Sequence, residues 1–171
     1  MIQTWIADVT PLLNEEIYYV YYRKAPHFRK EKADRLKQRE GRLCPGDAVL
    51  VQLEREGVKT KLPVVSGTLT FPGAGIVLMY PKKGISFSTK IQNSEWKKQA
   101  GAFLEPFLPQ DTGLIVRTNG ENIPLEILGE ETEKKLDCLK KVLDVFPYRP
   151  CFSRLYRGMP AYINALMSHG A

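Results

Sequence analysis

The sequence is poor in the residues from which metal sites and nucleophilic active sites are usually built. It has two histidines, His27 and His169, and three cysteines that are far apart and form no CxxC pair, at positions 44, 138 and 151. A Ser-His-Asp triad, a zinc site or a disulfide framework is therefore hard to assemble from this chain. The same cysteine usage favours a reducing cytoplasm over an oxidising compartment.

Other familiar signals are missing as well. No apolar run approaches the roughly 20 residues that span a bilayer, and the acidic start of the chain predicts no signal peptide. Neither a P-loop nor a GxGxxG motif occurs. The acid pairs Glu15-Glu16 and Glu130-Glu131 are neighbours whose side chains point in different directions on a helix, which predicts solvated surface. On the residues alone, a binding protein is favoured over a catalyst.

What the chain does have is positive charge. Its 171 residues are 43% hydrophobic and 26% charged, which fits one globular domain or two small ones. The net charge of +6 and a pI near 9.2 favour an anionic partner, with nucleic acid first and an anionic membrane surface second. Residues 23–42 are dense in Lys and Arg and fit either an RNA-backbone contact or a solvated basic helix.

Hydrophobic periodicity predicts an α+β protein. Several short strands separated by Gly and Pro turns are typical of a small barrel or sandwich. The predicted strands cover residues 2–9, 47–55, 62–71 with a bulge at Gly67, 76–80, 85–91, 112–118 and 151–157. The predicted helices begin at Glu15, at Ser94 behind an Asn93 cap, at Pro124 and at Pro160. Residues 47–55 alternate as a half-buried strand does.

In the stretch TGLIVRTNG, Arg117 and Thr118 lie at the end of an apolar strand and directly before an Asn-Gly turn. A terminal phosphate carries nearly two negative charges and several acceptor oxygens. An arginine fork binds it bidentately, and a threonine hydroxyl can hold a further oxygen. The alternative is a surface charge beside a β-forming threonine. The residues alone favour this alternative, because structural charges greatly outnumber functional ones.

Four segments carry a resemblance to a known family, in the order expected of it. They are LCPGDAVLVQLEREGVKTKLPVVSGTLTFPGAGIVLMY, GISFSTKI, TGLIVRTNG and FPYRPCFSRLYRGMPAYINAL. From about residue 41 to 166 the chain resembles the ribonuclease E/G family, bacterial endoribonucleases of RNA decay and ribosomal RNA maturation. The resemblance implies a partial OB-like β-barrel, which binds RNA, over residues 41–92. It further implies a 5′-sensor-like strand-helix unit over residues 93–171.

The resemblance also implies site residues and a partner, which is single-stranded RNA. In the family, an Arg-Thr pair after this strand belongs to a pocket that prefers RNA with a 5′-monophosphate. Arg117 would then grip the phosphate and Thr118 would hydrogen-bond it. The other side of the pocket would be closed by a neighbouring loop, which comprises Ser86, Phe87, Ser88 and Lys90. Candidate contacts to the RNA backbone are Lys59, Lys61, Lys82 and Lys83.

Endoribonuclease activity is implied by the family, but its catalytic aspartates, which hold Mg²⁺, and its zinc-linking Cys pair have no counterpart in this sequence. We therefore expect a truncated family member that does not cut RNA alone. We expect it to carry no cofactor, with Mg²⁺ entering only with a catalytic partner chain. A homo-oligomer is the alternative to such a partner chain. We expect the protein to be cytoplasmic and not to bind a membrane.

The first 38 residues resemble a different family at its N-terminus, the 4′-phosphopantetheinyl transferases. The quoted stretch is WIADVTPLLNEEIYYVYYRKAPHFRKEKADRLK, while the GxDxE and WxxKEA motifs of that family do not occur. We therefore predict a separate N-terminal strand-helix and basic segment over residues 1–40, with a junction near Lys37 to Gly41. Two alternatives stay open, a transferase-like fragment and an inactive fusion product.

Overall fold

A computed structural model of the chain describes residues 17–21, 48–55, 64–150 and 153–157. Its contacts divide the chain into two compact units, Met1–Leu69 with Val142–Ala161 and Thr70–Lys141 with Tyr162–Ala171. The α+β class is confirmed, with two four-stranded sheets and two α-helices in the described residues. Neither of these sheets closes into a barrel. The domain boundaries drawn from the sequence stay predictions.

Eight strands and two α-helices make up the described part of the chain, with three short 3₁₀ segments. In chain order they are β1 (Ile17–Tyr21), β2 (Ala48–Arg55), β3 (Val64–Ser66), β4 (Leu69–Pro72), β5 (Ile76–Tyr80), β6 (Gly84–Phe87), α1 (Ser94–Leu104), a 3₁₀ turn (Glu105–Phe107), β7 (Gly113–Val116), a 3₁₀ turn (Thr118–Asn122), α2 (Leu125–Val145), a 3₁₀ turn (Phe146–Tyr148) and β8 (Arg154–Tyr156). The predicted strand 2–9 and the predicted helix from Pro160 lie outside the described residues.

The first sheet has the order β3-β2-β1-β8, and its neighbouring strands are antiparallel. The helix predicted to begin at Glu15 is therefore wrong over β1, where Ile17 lies opposite Gln52 of β2. Tyrosine and β-branched residues dominate this segment and fit a pleated surface. Pairing with β2 on one side and β8 on the other satisfies the backbone groups of β1, and this outweighs a local capping signal.

The β2 strand is buried on both faces. The sequence predicted a half-buried strand with Val49, Val51 and Leu53 on the inner face, and these three are buried. Leu50 and Gln52, on the opposite face, are only 2% and 3% exposed. The alternation in the sequence reflects side-chain type and does not reveal that both faces of the strand are buried.

The predicted strand 62–71 is divided into two strands that belong to different sheets. The β3 strand ends at Ser66 in the first sheet, and β4 begins at Leu69 in the second. The break is a tight turn, in which the Thr68 N–H donates to the Ser66 hydroxyl over 3.1 Å. A serine hydroxyl that bonds the nearby backbone competes with ladder hydrogen bonds. Gly67 therefore lies in a turn between sheets and is not a bulge within one strand.

The second sheet has the order β4-β5-β7-β6 and contains one parallel pair. The β5 and β7 strands run antiparallel, while β6 and β7 run parallel with Gly84 opposite Gly113 and Phe87 opposite Val116. A parallel pair needs a crossover, and α1 lies in this connection. The buried side chains of these strands are Leu69, Phe71, Ile76, Leu78, Leu114 and Val116.

Each of the two helices buries apolar residues on one face, such as Ala100 and Leu104 of α1 and Leu128 and Leu139 of α2. The Asn93 side chain accepts a hydrogen bond from the Trp96 N–H over 3.0 Å and caps α1, as the sequence predicted. A Cβ on Gly129 of α2 would lie 3.2 Å from Phe103 and 3.3 Å from Phe107, so this glycine lets the two helices approach closely. None of the helices in the described residues is long and apolar enough to cross a membrane.

Replacing the α1 cap tests this description. We expect Asn93→Ala to lower the free energy of unfolding by about 1 kcal/mol, because the Trp96 N–H loses its acceptor. Asn93→Asp keeps an acceptor at the helix start and should leave stability almost unchanged. Urea unfolding followed by circular dichroism measures both, and equal stability of the alanine variant would contradict the assignment of the cap.

Candidate functional site

The parallel pairing of β6 and β7 brings their two carboxyl ends to one edge of the second sheet. Ser88 follows β6 directly, and Arg117 and Thr118 follow β7. The Ser88 N–H donates to the Val116 carbonyl over 2.8 Å, which extends the ladder by one bond beyond the strands. Three of the residues predicted from the sequence therefore meet at this edge, although Ser88 and Thr118 are 30 positions apart.

The Ser88 and Thr118 hydroxyls form a hydrogen bond across this edge. Their oxygens are 2.9 Å apart, and either hydroxyl can be the donor. The Lys90 N–H lies 3.4 Å from the Ser88 hydroxyl oxygen, and the Ile91 N–H donates to the Ser88 carbonyl over 3.1 Å. These bonds form a turn, so β6 ends at Phe87 and does not continue to residue 91 as predicted. The turn brings the backbone of Lys90 beside the hydroxyl pair.

Arg117 is half-buried and is bonded at three points. Its backbone N–H donates to the Gly75 carbonyl over 2.8 Å, and its carbonyl accepts from the Gly120 N–H over 2.9 Å. Its side-chain Nη1 donates to the Gly73 carbonyl over 2.9 Å. A guanidinium has further N–H donors in a fixed plane, so one bond sets its direction without exhausting its capacity. In the sequence, Arg117 is the only arginine between residues 70 and 141.

The loop between β4 and β5 is held by Glu131 of α2. The Glu131 carboxylate accepts hydrogen bonds from the Ala74 N–H and, over 3.0 Å, from the Gly75 N–H. The sequence predicted Glu130 and Glu131 as solvated surface, which is wrong for Glu131. Consecutive helical residues point about 100° apart, so Glu130 is exposed beside Lys134 while Glu131 reaches the loop. In the sequence, the closely spaced glycines of the loop are the feature that could have indicated this contact.

Two glycines allow the elements around Arg117 to approach one another. A Cβ on Gly75 would lie 2.4 Å from Leu128 Cδ2, and one on Gly120 would lie 2.8 Å from the Gly75 carbonyl oxygen. Gly120 is buried in the 3₁₀ turn Thr118–Asn122, where the sequence predicted a simple Asn-Gly turn. The turn, the loop and α2 therefore pack too tightly for side chains at these two positions.

Phe87 and Ser86 have different surroundings from the hydroxyl pair. The half-buried Phe87 ring makes an edge-on contact with Trp96 of α1, with centroids 6.1 Å apart and planes at 77°. The half-buried Trp96 thus packs against a neighbouring ring. Ser86 is exposed on β6, opposite Ile115 and one position further from the strand end than Phe87. A phosphate-binding role for Phe87 or Ser86 stays a prediction.

Of the lysines predicted to contact RNA, the two that the structure describes, Lys82 and Lys83, do not lie at this edge. Lys82 and Lys83 precede β6 and lie at its opposite end, where the Lys82 N–H donates to the Asp111 carbonyl over 3.1 Å. Lys83 Nζ is 4.0 Å from the Asp111 carboxylate. The four residues of β6 separate this end from Ser88 by about 13 Å. Lys59 and Lys61 lie outside the described residues.

The resemblance associates Mg²⁺ with a catalytic partner chain, and such an ion needs ligands that lie close together. Among the described residues, the structure brings together no set of three or more His, Cys, Asp or Glu side chains that could hold a metal ion. The arrangement at the strand ends offers donors and a positive charge instead, and this combination suits an anion.

Comparisons with known proteins agree on one family. A sequence model of the Ribonuclease E/G family matches residues 70–169. Ribonuclease E of Nostoc sp. is 35% identical over 91 residues, covering 53% of this chain and 13% of that protein. Ribonuclease E of Synechocystis sp. is 33% identical over 53% of this chain and 14% of that protein. Ribonuclease G of Haemophilus influenzae is 29% identical over 68% of this chain and 23% of that protein. The chain thus spans less than a quarter of each relative's length.

The close approach at Gly120 can be tested by adding a single methyl group. We expect Gly120→Ala to lower the free energy of unfolding by about 2 kcal/mol, because the new Cβ would collide with a backbone carbonyl. Gly101→Ala is the matched control, since its Cβ would meet only the Phe87 ring at 3.8 Å. That change lies inside α1 and should stabilise the protein by about 0.5–1 kcal/mol. Urea unfolding of both variants measures this, and equal effects would contradict the packing described.

Proposed function

Because the chain belongs to the ribonuclease E/G family, we propose that it takes part in RNA processing or decay by binding the 5′-monophosphate end of single-stranded RNA. The observation that carries the proposal is the hydrogen bond between the Ser88 and Thr118 hydroxyls at the strand edge where Arg117 lies. The paired hydroxyls come from two different strand ends, and Arg117 directly precedes Thr118 in the chain. Hydroxyl and guanidinium donors are the groups that bind a phosphate with several oxygens.

Each group has a distinct role in the proposed site. Arg117 binds the phosphate through the guanidinium N–H groups that do not face Gly73. The Ser88–Thr118 bond uses one hydroxyl proton, so the pair can donate the other to a phosphate oxygen. Lys90, in the turn after Ser88, adds a positive charge nearby. A 5′-hydroxyl end has neither the charge nor the acceptor oxygens, and it would leave these donors without a partner.

The proposed activity is end recognition, and no cleavage step is assigned to the described residues. Cleavage of a phosphodiester by the family's chemistry would need Mg²⁺ and acidic ligands for it. A catalytic partner chain that brings these ligands is the second part of the proposal. Recognition by the chain would then act as a positioning step, since it fixes one end of the RNA relative to the partner.

The direct test is a comparison of two short single-stranded RNAs that differ only in a 5′-monophosphate or a 5′-hydroxyl. We expect the phosphorylated RNA to bind about tenfold more tightly at low salt. The affinity of both RNAs should fall as salt rises, because phosphate contacts release counterions. Fluorescence anisotropy with a label at the 3′ end measures both affinities.

Two variants sharpen this comparison. Arg117→Lys keeps the charge but loses the planar fork, and it should remove most of the preference for the phosphorylated RNA. Lys134→Gln removes a charge from the exposed face of α2 and should change both affinities equally. Equal binding of the two RNAs by the unaltered protein would refute the proposed function.

The hydroxyl pair gives a separate prediction. Thr118→Val and Ser88→Ala should each lower the affinity for 5′-phosphorylated RNA by about five- to tenfold, which corresponds to the loss of one hydrogen bond. The double variant should lose less than the product of the single effects, because the two hydroxyls are bonded to each other. Binding of 5′-hydroxyl RNA should be unaffected. Strictly multiplicative losses would show that the two groups act independently.

A further inference from the structure

We infer that Glu131 is a positioning residue, which orients the Arg117 guanidinium for a 5′-phosphate by holding the loop of residues 73–75. The inference rests on the proposed function and extends it to a residue that does not contact the RNA. Glu131 lies on α2, and both of the hydrogen bonds described above join its carboxylate to backbone N–H groups of the loop. Its effect on Arg117 would pass through the backbone of that loop.

The link between the two side chains is a single peptide group. The Gly73 carbonyl and the Ala74 N–H belong to the same planar unit and point in opposite directions. Glu131 accepts from the Ala74 N–H on one side, and Arg117 Nη1 donates to the Gly73 carbonyl on the other. Rotation of this peptide plane would break both bonds. A hydrogen bond at the N–H also makes the carbonyl a better acceptor, so each bond strengthens the other.

A second connection between Glu131 and Arg117 runs through Gly75, whose N–H and carbonyl belong to two adjacent peptide groups. The Gly75 N–H donates to Glu131 Oε2 over 3.0 Å, and the Gly75 carbonyl accepts from the Arg117 backbone N–H over 2.8 Å. Two successive N–H groups thus face one carboxylate, which is the geometry of a backbone anion site. Here the anion belongs to the protein. The loop itself is closed by a bond of 2.8 Å from the Gly73 N–H to the Ile76 carbonyl.

Gly73 is required for the close approach of the carboxylate. A Cβ at this position would lie 2.3 Å from Glu131 Oε1. The atom it would meet is the end of a flexible side chain, so an alanine would displace the carboxylate and leave its charge in place. Gly73→Ala therefore breaks the Glu131–loop contact by a route that is independent of any change at Glu131.

The sign of the effect distinguishes positioning from simple electrostatics. A carboxylate near a phosphate site repels the ligand, so its neutralisation should by charge alone strengthen the binding of both RNAs. A positioning role predicts the opposite for the phosphorylated RNA. In Glu131→Gln, one of the two loop N–H groups would face an amide NH₂ and lose its acceptor. The loop would then release the guanidinium from its fixed direction.

The experiment compares Glu131→Gln with Glu130→Gln in the full chain, using the 5′-monophosphate and 5′-hydroxyl RNAs. We expect the ratio of the two affinities to fall by about fivefold or more in Glu131→Gln and to stay unchanged in Glu130→Gln. Gly73→Ala should lower the ratio in the same way. Thermal unfolding identifies variants that have lost the fold, and Gly73→Ala decides the question if Glu131→Gln is one of them.

A spectroscopic measurement keeps the inference separate from the proposed function. The Arg117 Nε–Hε signal in a ¹⁵N-correlated NMR spectrum is identified by its loss in Arg117→Lys. It should shift in Glu131→Gln and in Gly73→Ala, and it should not shift in Glu130→Gln. If the unaltered protein does not distinguish the two RNAs, the proposed function fails, and this signal alone tests the inference. An unchanged signal and an unchanged ratio in folded variants would overturn it.

Discussion

The parallel register of β6 with β7 is the constraint on which the candidate site depends. Phe87 lies opposite Val116, so the residue after each strand emerges at the same edge. An antiparallel pair would send these ends in opposite directions, and Ser88 would be separated from Thr118 by the length of a strand. The α1 crossover makes the parallel register available, and the cap at Asn93 fixes where that helix begins. The chemistry of the edge is thus a consequence of topology.

Around this edge, the residues of the candidate site and the residues that support them form two layers. The Ser88 and Thr118 hydroxyls are paired with each other, while the Arg117 side chain donates to the Gly73 carbonyl. Behind it, the loop of residues 73–75 is tied to α2 through Glu131. A half-buried arginine that is fixed in this way loses little side-chain entropy on binding a ligand, and preorganisation of this kind favours selectivity.

Local sequence signals predicted much of the fold. They failed where pairing with distant strands determined the secondary structure of a segment. The β5 strand, the capped α1 and the long α2 follow from apolar periodicity and cap chemistry. The β1 strand was mistaken for a helix because only its partners stabilise it. In the candidate site, Arg117 and Thr118 were predicted from a family motif, and the structure places Ser88 within hydrogen-bond distance of Thr118. Their role stays a prediction. Glu131 was missed, since its partners are backbone amides more than 50 positions away, which no local pattern encodes.

The separation of Ser88 and Thr118 by 30 positions has a consequence for the order of folding. Helical turns and tight turns close within microseconds, whereas contacts between distant segments must first overcome the entropy of closing the intervening chain. The hydroxyl pair can form only when β7 has docked beside β6. A nascent or partly opened chain would therefore carry every residue of the candidate site without the arrangement that brings these residues together.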